Sequence, residues 1–459
     1  MTQVRPYQVT DPATGELLET FPHATDGDVE EALAASAAAF EDWRAWPVAE
    51  RAAVVRRVGE LFAARAEDLG ALVTVEMGKR PSAAVGEALW CGRICGYYAE
   101  QGPGLLADRP VPGRPGARIQ QLPMGPLLGV MPWNYPYSQV VRFAAPNLVA
   151  GNTIVIKHAE NCPTSALAIA ELLTEAGIPD GVYANLFATH DQVAGMIADP
   201  RIRGVSLTGS ERAGAAVAAV AGRHLKKVVL ELGGSDPYIV LDTDDVVAAA
   251  EQAWVTRMSN VGQACNSNKR MIVMADLYDD FVTVLVKQAA AIAPRLPGDD
   301  TAETYSPMVS RQAAETLLAQ VQDAVAKGAT LHVGGELVFD NGAYFAPAVL
   351  TDVTREMRAY HEELFGPVAV VYRVTSEEEA VALANAVDFG LGAAVFSTDP
   401  DRATRVAAQL EVGMANVNTP EASGPDLPFG GVKRSGFGRE LGASGIEEFV
   451  NQRLFYVDR

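Results

Sequence analysis

Residues 204–234 read GVSLTGSERAGAAVAAVAGRHLKKVVLELGG, and they decide the fold class. An apolar run, Gly204 to Thr208, gives way to an Ala-rich stretch of helical character that closes near Gly222, and a second apolar run follows from Lys227 to Leu232. A strand, a helix and a strand in that order form a crossover that lays both strands parallel in one sheet. Further out, Leu127 to Met131, Thr153 to Lys157 and Val182 to Phe187 repeat this texture between helical stretches. A second alternating region runs from Tyr238 to about Asn418, with helices predicted over Val246 to Arg257, Leu277 to Ala293, Arg311 to Lys327 and Ser376 to Asn385. The chain therefore reads as α/β with two sheet-building regions.

The first hundred residues are helical in period: Asp26 and Asp28 open a run through Trp43, and a second runs from Val48 to Met77, where Gly78 stops it. Gly102 to Pro126 is Pro-rich without helical period, which predicts an extended arm or linker. At 459 residues the chain has room for two or three domains with full cores. A net charge of −20 repels nucleic acid and anionic membrane surfaces, and no basic run offsets it. Four cysteines, Cys91, Cys95, Cys162 and Cys265, are too few for a disulfide framework, and the Cys91–Cys95 spacing lacks the second pair of a zinc site. Reduced thiols and no metal requirement are expected. Met1 to Pro12 lacks the apolar core of a secretion signal and no apolar run of about 18 residues follows, so a cytoplasmic, membrane-free protein is expected.

Chemistry concentrates at the ends of the predicted strands, where open α/β sheets hold their ligands. Thr208-Gly209-Ser210 joins a strand to a helix, where free amides and the helix dipole favour a phosphate; Ser210 as a plain helix cap is the competing reading. Lys157, at another strand end, and Glu160 can hydrogen-bond ribose hydroxyls or form a solvated surface pair. Glu231 is an acid inside an apolar strand before Gly233-Gly234: a buried carboxyl must be paired or have its pKa raised, so it reads as a general base or as half of a salt bridge. Cys265, in Gly262-Gln263-Ala264-Cys265-Asn266, has small and polar neighbours that leave a thiol accessible as a nucleophile, or leave an inert loop residue. Asn134 in Pro132-Trp133-Asn134-Tyr135-Pro136 is bracketed by prolines that aim its amide as an oxyanion donor, or it is a turn asparagine.

Together with Glu363-Leu364-Phe365-Gly366-Pro367 and the 428–436 segment PFGGVKRSG, these motifs resemble the aldehyde dehydrogenase superfamily over nearly the whole chain. The resemblance implies a Rossmann-like cofactor domain (residues 1–103 and 124–233) and an α/β catalytic domain (234–435). A β-arm (104–123 and 436–459) would join protomers into a homodimer or homotetramer. It implies Cys265 as nucleophile, Asn134 with the Cys265 amide as oxyanion hole, and Glu231 as base. Pro132, Trp133, Lys157, Glu160, Gly209, Ser210, Leu232, Glu363 and Phe365 would hold the nicotinamide cofactor.

The 133–142 segment is similar to the succinate-semialdehyde branch, in which an arginine at the place of Arg142 binds the distal carboxylate of the aldehyde. Arg257 and Ser423 are expected to assist. A structural ion pair is the other reading of Arg142, and Ser259 stands where several members carry a second arginine. Asn451 stands where many members are taken to carry a relay glutamate, which leaves proton exit to Glu231 and water. Glu160 beside the adenine ribose predicts NAD over NADP, because a carboxylate repels a 2'-phosphate, with NADP use left open by Lys157. The alternatives are a dehydrogenase of neutral or amino aldehydes, a coenzyme A-acylating relative, which the hydrolytic base Glu231 argues against, and a non-catalytic nucleotide binder.

Overall fold

The computed structural model describes residues 5–296, 299, 301 and 303–458. Its first sheet has six strands in the order Gly436–Phe437, Lys227–Glu231, Gly204–Thr208, Pro126–Val130, Thr153–Lys157, Tyr183–Asn185. The last five run parallel, and Gly436–Phe437 is antiparallel to Lys227–Glu231. Apolar clusters cover both faces: one joins the first helices to Ser138–Ala150, and the other includes Val205, Leu207, Leu230 and Leu232.

The second sheet has seven strands, ordered Thr330–Val333, Ala348–Thr351, Val368–Val374, Arg270–Met274, Pro237–Val240, Gly392–Phe396, Met414–Val417. Only its first strand is antiparallel to its neighbour. Both sheets are buried between helices, as continuous apolar strands require. A three-stranded sheet, Val450–Tyr456, Ala117–Pro123, Arg109–Pro110, joins the two stretches expected to form the arm.

Three expectations shift. The run from Val48 to Met77 is two helices, Val48–Ala64 and Ala66–Met77, the second ended by Gly78 at φ 75°. The extended reading of residues from Gly102 begins too early, because the helix Pro81–Leu105 continues through Pro103 in its last turn, where a missing N–H costs one bond. Gly102 packs there against Val149, so closely that a Cβ would lie 2.6 Å from Cγ1. Residues 436–449 do not belong to the arm: Gly436 and Phe437 pair with Glu231 and Leu230, and the helix Gly442–Glu447 packs on the helices Ser138–Ala150 and Pro81–Leu105.

Candidate active site

The segment before Cys265 is built under constraint. After the helix Val246–Met258, Asn260, Val261 and Gly262 are all left-handed, with φ of 48°, 54° and 71°. Such a backbone is costly for a β-branched residue and persists where the surroundings hold it. Gly262 is required, since a Cβ would sit 2.3 Å from the Gly366 carbonyl oxygen. The Asn260 amide donates to the carbonyls of Asn134 (3.0 Å) and Gln263 (3.2 Å), and the Gln263 side chain accepts from the Val309 amide at 2.9 Å.

Cys265 itself is half-buried. Burial pushes its thiol up to about 12, against the pull of Arg142 and Lys269, while Glu363 and Glu231 push the same way as burial. The thiol therefore needs a base. Asn134 follows the strand Pro126–Val130, is buried, and donates through Nδ2 to the Gln263 carbonyl at 3.1 Å. That bond uses one of its two amide hydrogens and ties it to the Cys265 loop.

Glu231 ends its strand fully buried, and neither carboxylate oxygen has a hydrogen-bond partner among the described residues. Its pKa is raised well above the ordinary range, by burial first and by Glu440 second, with Arg142 and Arg439 opposing. This favours the base over the salt-bridge reading. Glu440 was not anticipated. It accepts from Arg142 Nε at 2.7 Å and pairs with Nη2 at 2.5 Å, while its Oε1 has no partner among the described residues. The signal was an acid in Gly438-Arg439-Glu440-Leu441-Gly442, directly after the glycine-rich segment. Asn451 is no part of this site: it is exposed and sits opposite Leu122 in the arm. The carboxyl facing Glu231 is Glu440.

Arg142, Cys265, Ser423, Tyr135, Trp90 and Phe429 line one cavity of about 170 Å³. Arg142 lies over the Phe429 ring, 4.4 Å from its centroid. Its Nε donates to Glu440, whereas Nη2 lies in ion-pair range of the same carboxylate oxygen without a hydrogen bond, so the ion-pair reading of Arg142 describes this contact; Nη1 likewise has no hydrogen-bond partner among the described residues. Arg257 is a different case. It is fully buried and donates to the carbonyls of Val368, Leu364, Gly366 and Gly262 and to the Ser267 hydroxyl. The expectation that it assists substrate binding is overturned, because every donor nitrogen is already engaged in joining the Cys265 loop to the 364–368 segment.

On the cofactor side, Lys157 and Glu160 form an ion pair at 2.5 Å, which His190 approaches at 3.3 Å. Gly209 donates to the Glu231 carbonyl at 2.9 Å, and Ser210 caps the helix Glu211–Arg223 by accepting from Ala213 at 3.3 Å. The buried Thr208 hydroxyl has no partner among the described residues. Leu232 packs over the same helix, where Gly214 leaves room for it. Pro132 and Trp133 open the loop carrying Asn134, and the Trp133 ring meets Phe365 edge-on at 5.6 Å. Glu363 accepts at Oε1 from the Gly234 amide at 3.1 Å, and the same oxygen forms an ion pair with Lys269 at 3.1 Å. An anion-tolerant strand-to-helix turn, an orphaned hydroxyl and a carboxylate with a second oxygen to offer fit a dinucleotide.

The family model for the aldehyde dehydrogenase family matches residues 1–455. The chain belongs to that family. It is 53% identical to the succinate-semialdehyde dehydrogenase [NADP(+)] of Deinococcus radiodurans, over 98% of this chain and 94% of that protein. Identity to succinate-semialdehyde dehydrogenase [NADP(+)] 1 of Mycobacterium tuberculosis is 42%, over 98% of this chain and 100% of that protein. The crystal structure of the Streptococcus pyogenes succinic semialdehyde dehydrogenase with NADP+ superposes with a TM-score of 0.95 at 39% identity, covering 99% of this chain and 100% of that one. The expected preference for NAD is contrary to these relatives, which are named for NADP(+) or were solved with it. Its physical basis fails as well: the Glu160 charge is met by the Lys157 ammonium, so it repels a 2'-phosphate far less than a lone carboxylate.

Proposed function

We propose that this aldehyde dehydrogenase oxidises succinate semialdehyde to succinate with NADP. The observation that carries the reading is the single cavity shared by Cys265, Arg142 and Ser423. The aldehyde carbon meets the thiol while the distal carboxylate meets the Arg142 guanidinium through Nη1 and the Ser423 hydroxyl. The relatives' names support the same substrate and cofactor.

Glu231 takes the Cys265 proton, and the thiolate adds to the aldehyde carbon to give a thiohemiacetal. Asn134 Nδ2 and the Cys265 amide hold the resulting oxyanion. NADP, when bound, would supply the hydride acceptor that turns the thiohemiacetal into a thioester. Glu231, once it has passed the Cys265 proton to solvent, deprotonates a water whose attack on the thioester releases the acid and returns the Cys265 thiolate, which regains a proton from Glu231. Glu363, Phe365 and Trp133 would hold the nicotinamide ribose and ring, and the Glu211–Arg223 helix N-terminus with Gly209 would hold the phosphates. The arm supports assembly into dimers or tetramers, since its edge strand exposes Leu454 and Tyr456.

The test is NADPH formation with succinate semialdehyde and with butanal, for the parent and Arg142→Ala. A preference for the semialdehyde that the variant loses supports the carboxylate contact. Equal rates with both aldehydes in the parent would sink the substrate assignment and leave the family chemistry intact.

A further inference from the structure

Lys269 lies four residues beyond Cys265, at the start of the strand Arg270–Met274, and is 1% exposed. A buried ammonium is costly unless each hydrogen finds an acceptor. Here two hydrogen bonds go to the carbonyls of Ala264 at 2.7 Å and Cys265 at 2.9 Å, and the charge is paired with Glu363 Oε1 at 3.1 Å. The Phe365 ring lies 5.7 Å away, and the buried Asp236 adds a further nearby negative charge. The charge partner is the carboxylate read above as the ribose ligand, and one of the two carbonyls belongs to the residue read as the nucleophile.

We propose that Lys269 is a positioning residue that couples cofactor engagement to the nucleophile: its ammonium holds the Cys265 carbonyl and fixes Glu363 with Oε2 turned to the ribose. The inference rests on reading Cys265 as nucleophile and Glu363 as cofactor ligand. With Oε1 held by Lys269 and the Gly234 amide, Glu363 enters the complex already oriented, which lowers the ordering cost of binding. The Lys269 and Arg142 charges lower the pKa of the Cys265 thiol, while those of Glu363 and Glu231 raise it.

Lys269→Met, Lys269→Arg and Glu363→Gln are compared with the parent by NADPH dissociation constant, by the pH dependence of iodoacetamide alkylation, and by melting temperature. Cys91, Cys95 and Cys162 are buried, so alkylation of the folded protein reports Cys265. Lys269→Met is expected to weaken NADPH about tenfold and to move the alkylation midpoint to higher pH, and Lys269→Arg to restore the midpoint. A lowered melting temperature with affinity and midpoint both unchanged would reduce Lys269 to a structural residue and overturn the proposal. If Lys269→Met does not fold, Lys269→Gln, which keeps donors for the two carbonyls and removes the charge, is compared alone and with Glu363→Gln: a loss in Lys269→Gln that vanishes in the double variant supports coupling, and no loss or additive losses overturn it. Unchanged affinity in Glu363→Gln would remove the ribose-ligand reading itself, whereas a loss there with none in Lys269→Met removes Lys269 alone.

Discussion

Arg142 and Arg257 are both buried guanidiniums close to the nucleophile loop, yet their surroundings differ in kind. Arg257 is met by four carbonyls and a hydroxyl, with no carboxylate among its hydrogen-bond partners in the described residues, and burial lowers its pKa to about 9. Arg142 is met by the Glu440 carboxylate, which together with Glu231 holds its pKa up despite burial, and it keeps one edge toward the cavity that contains Cys265. A guanidinium whose donors are all spent on backbone joins segments of the fold. One balanced by a carboxylate and open on one edge is available to a ligand.

The largest effect should come from breaking the joint. Arg257→Met leaves several buried acceptors short of a donor, and a loss of about 3 kcal/mol or more in unfolding free energy is expected. Denaturant titration measures it. Stability within about 1 kcal/mol of the parent would show that the 364–368 segment holds itself in place. Arg142→Ala should instead lower kcat/KM for succinate semialdehyde about a hundredfold, near 3 kcal/mol for a charge-assisted contact, while butanal changes far less. Equal losses with both aldehydes would make Arg142 a structural partner of Glu440, and the contrast with Arg257 would collapse.

Asn134→Ala should lower turnover roughly a hundredfold, the order of effect for one oxyanion donor. Steady-state kinetics with saturating cofactor checks it, and unchanged turnover would leave the Asn134 amide as nothing more than a tie to Gln263.

Both sheet regions and most strands and helices were legible, because apolar periodicity survives in any strand buried on both faces. Glu231 and Cys265 were legible from unusual neighbours: an acid among valines and leucines, a thiol among small residues. Glu440 and Lys269 were not, because a charge in a glycine-rich loop or before a strand looks solvated until tertiary contacts bury it. Arg257 was misread for the opposite reason. Its distance from Cys265 along the chain suggested substrate, and only the fold shows its donors turned to carbonyls.

The pairing of Arg142 with Glu440 also sets a prediction in pH through Glu231. A carboxyl whose pKa is raised in the folded state keeps its proton there after the unfolded chain has lost its own, so stability falls as pH rises from the unfolded pKa to the folded one. Activity that needs ionised Glu231 rises as pH climbs through the folded pKa. Glu440→Gln removes the neighbouring negative charge and releases Arg142 to act on Glu231, so both changes lower the Glu231 pKa. The rising limb of the kcat profile should move to lower pH by about one unit. An unmoved limb would show that another group limits the profile.

The smallest effect separates the two readings of Ser210. Its hydroxyl is spent on the Ala213 amide, so Ser210→Ala removes a cap worth about 1 kcal/mol of stability. The free backbone amides of the turn remain, and the KM for NADP should stay within about twofold because they, and not the hydroxyl, face the phosphates. A larger rise in KM with stability unchanged would turn the hydroxyl into a phosphate ligand, and the cofactor side of the site would then depend on side chains as the substrate side does.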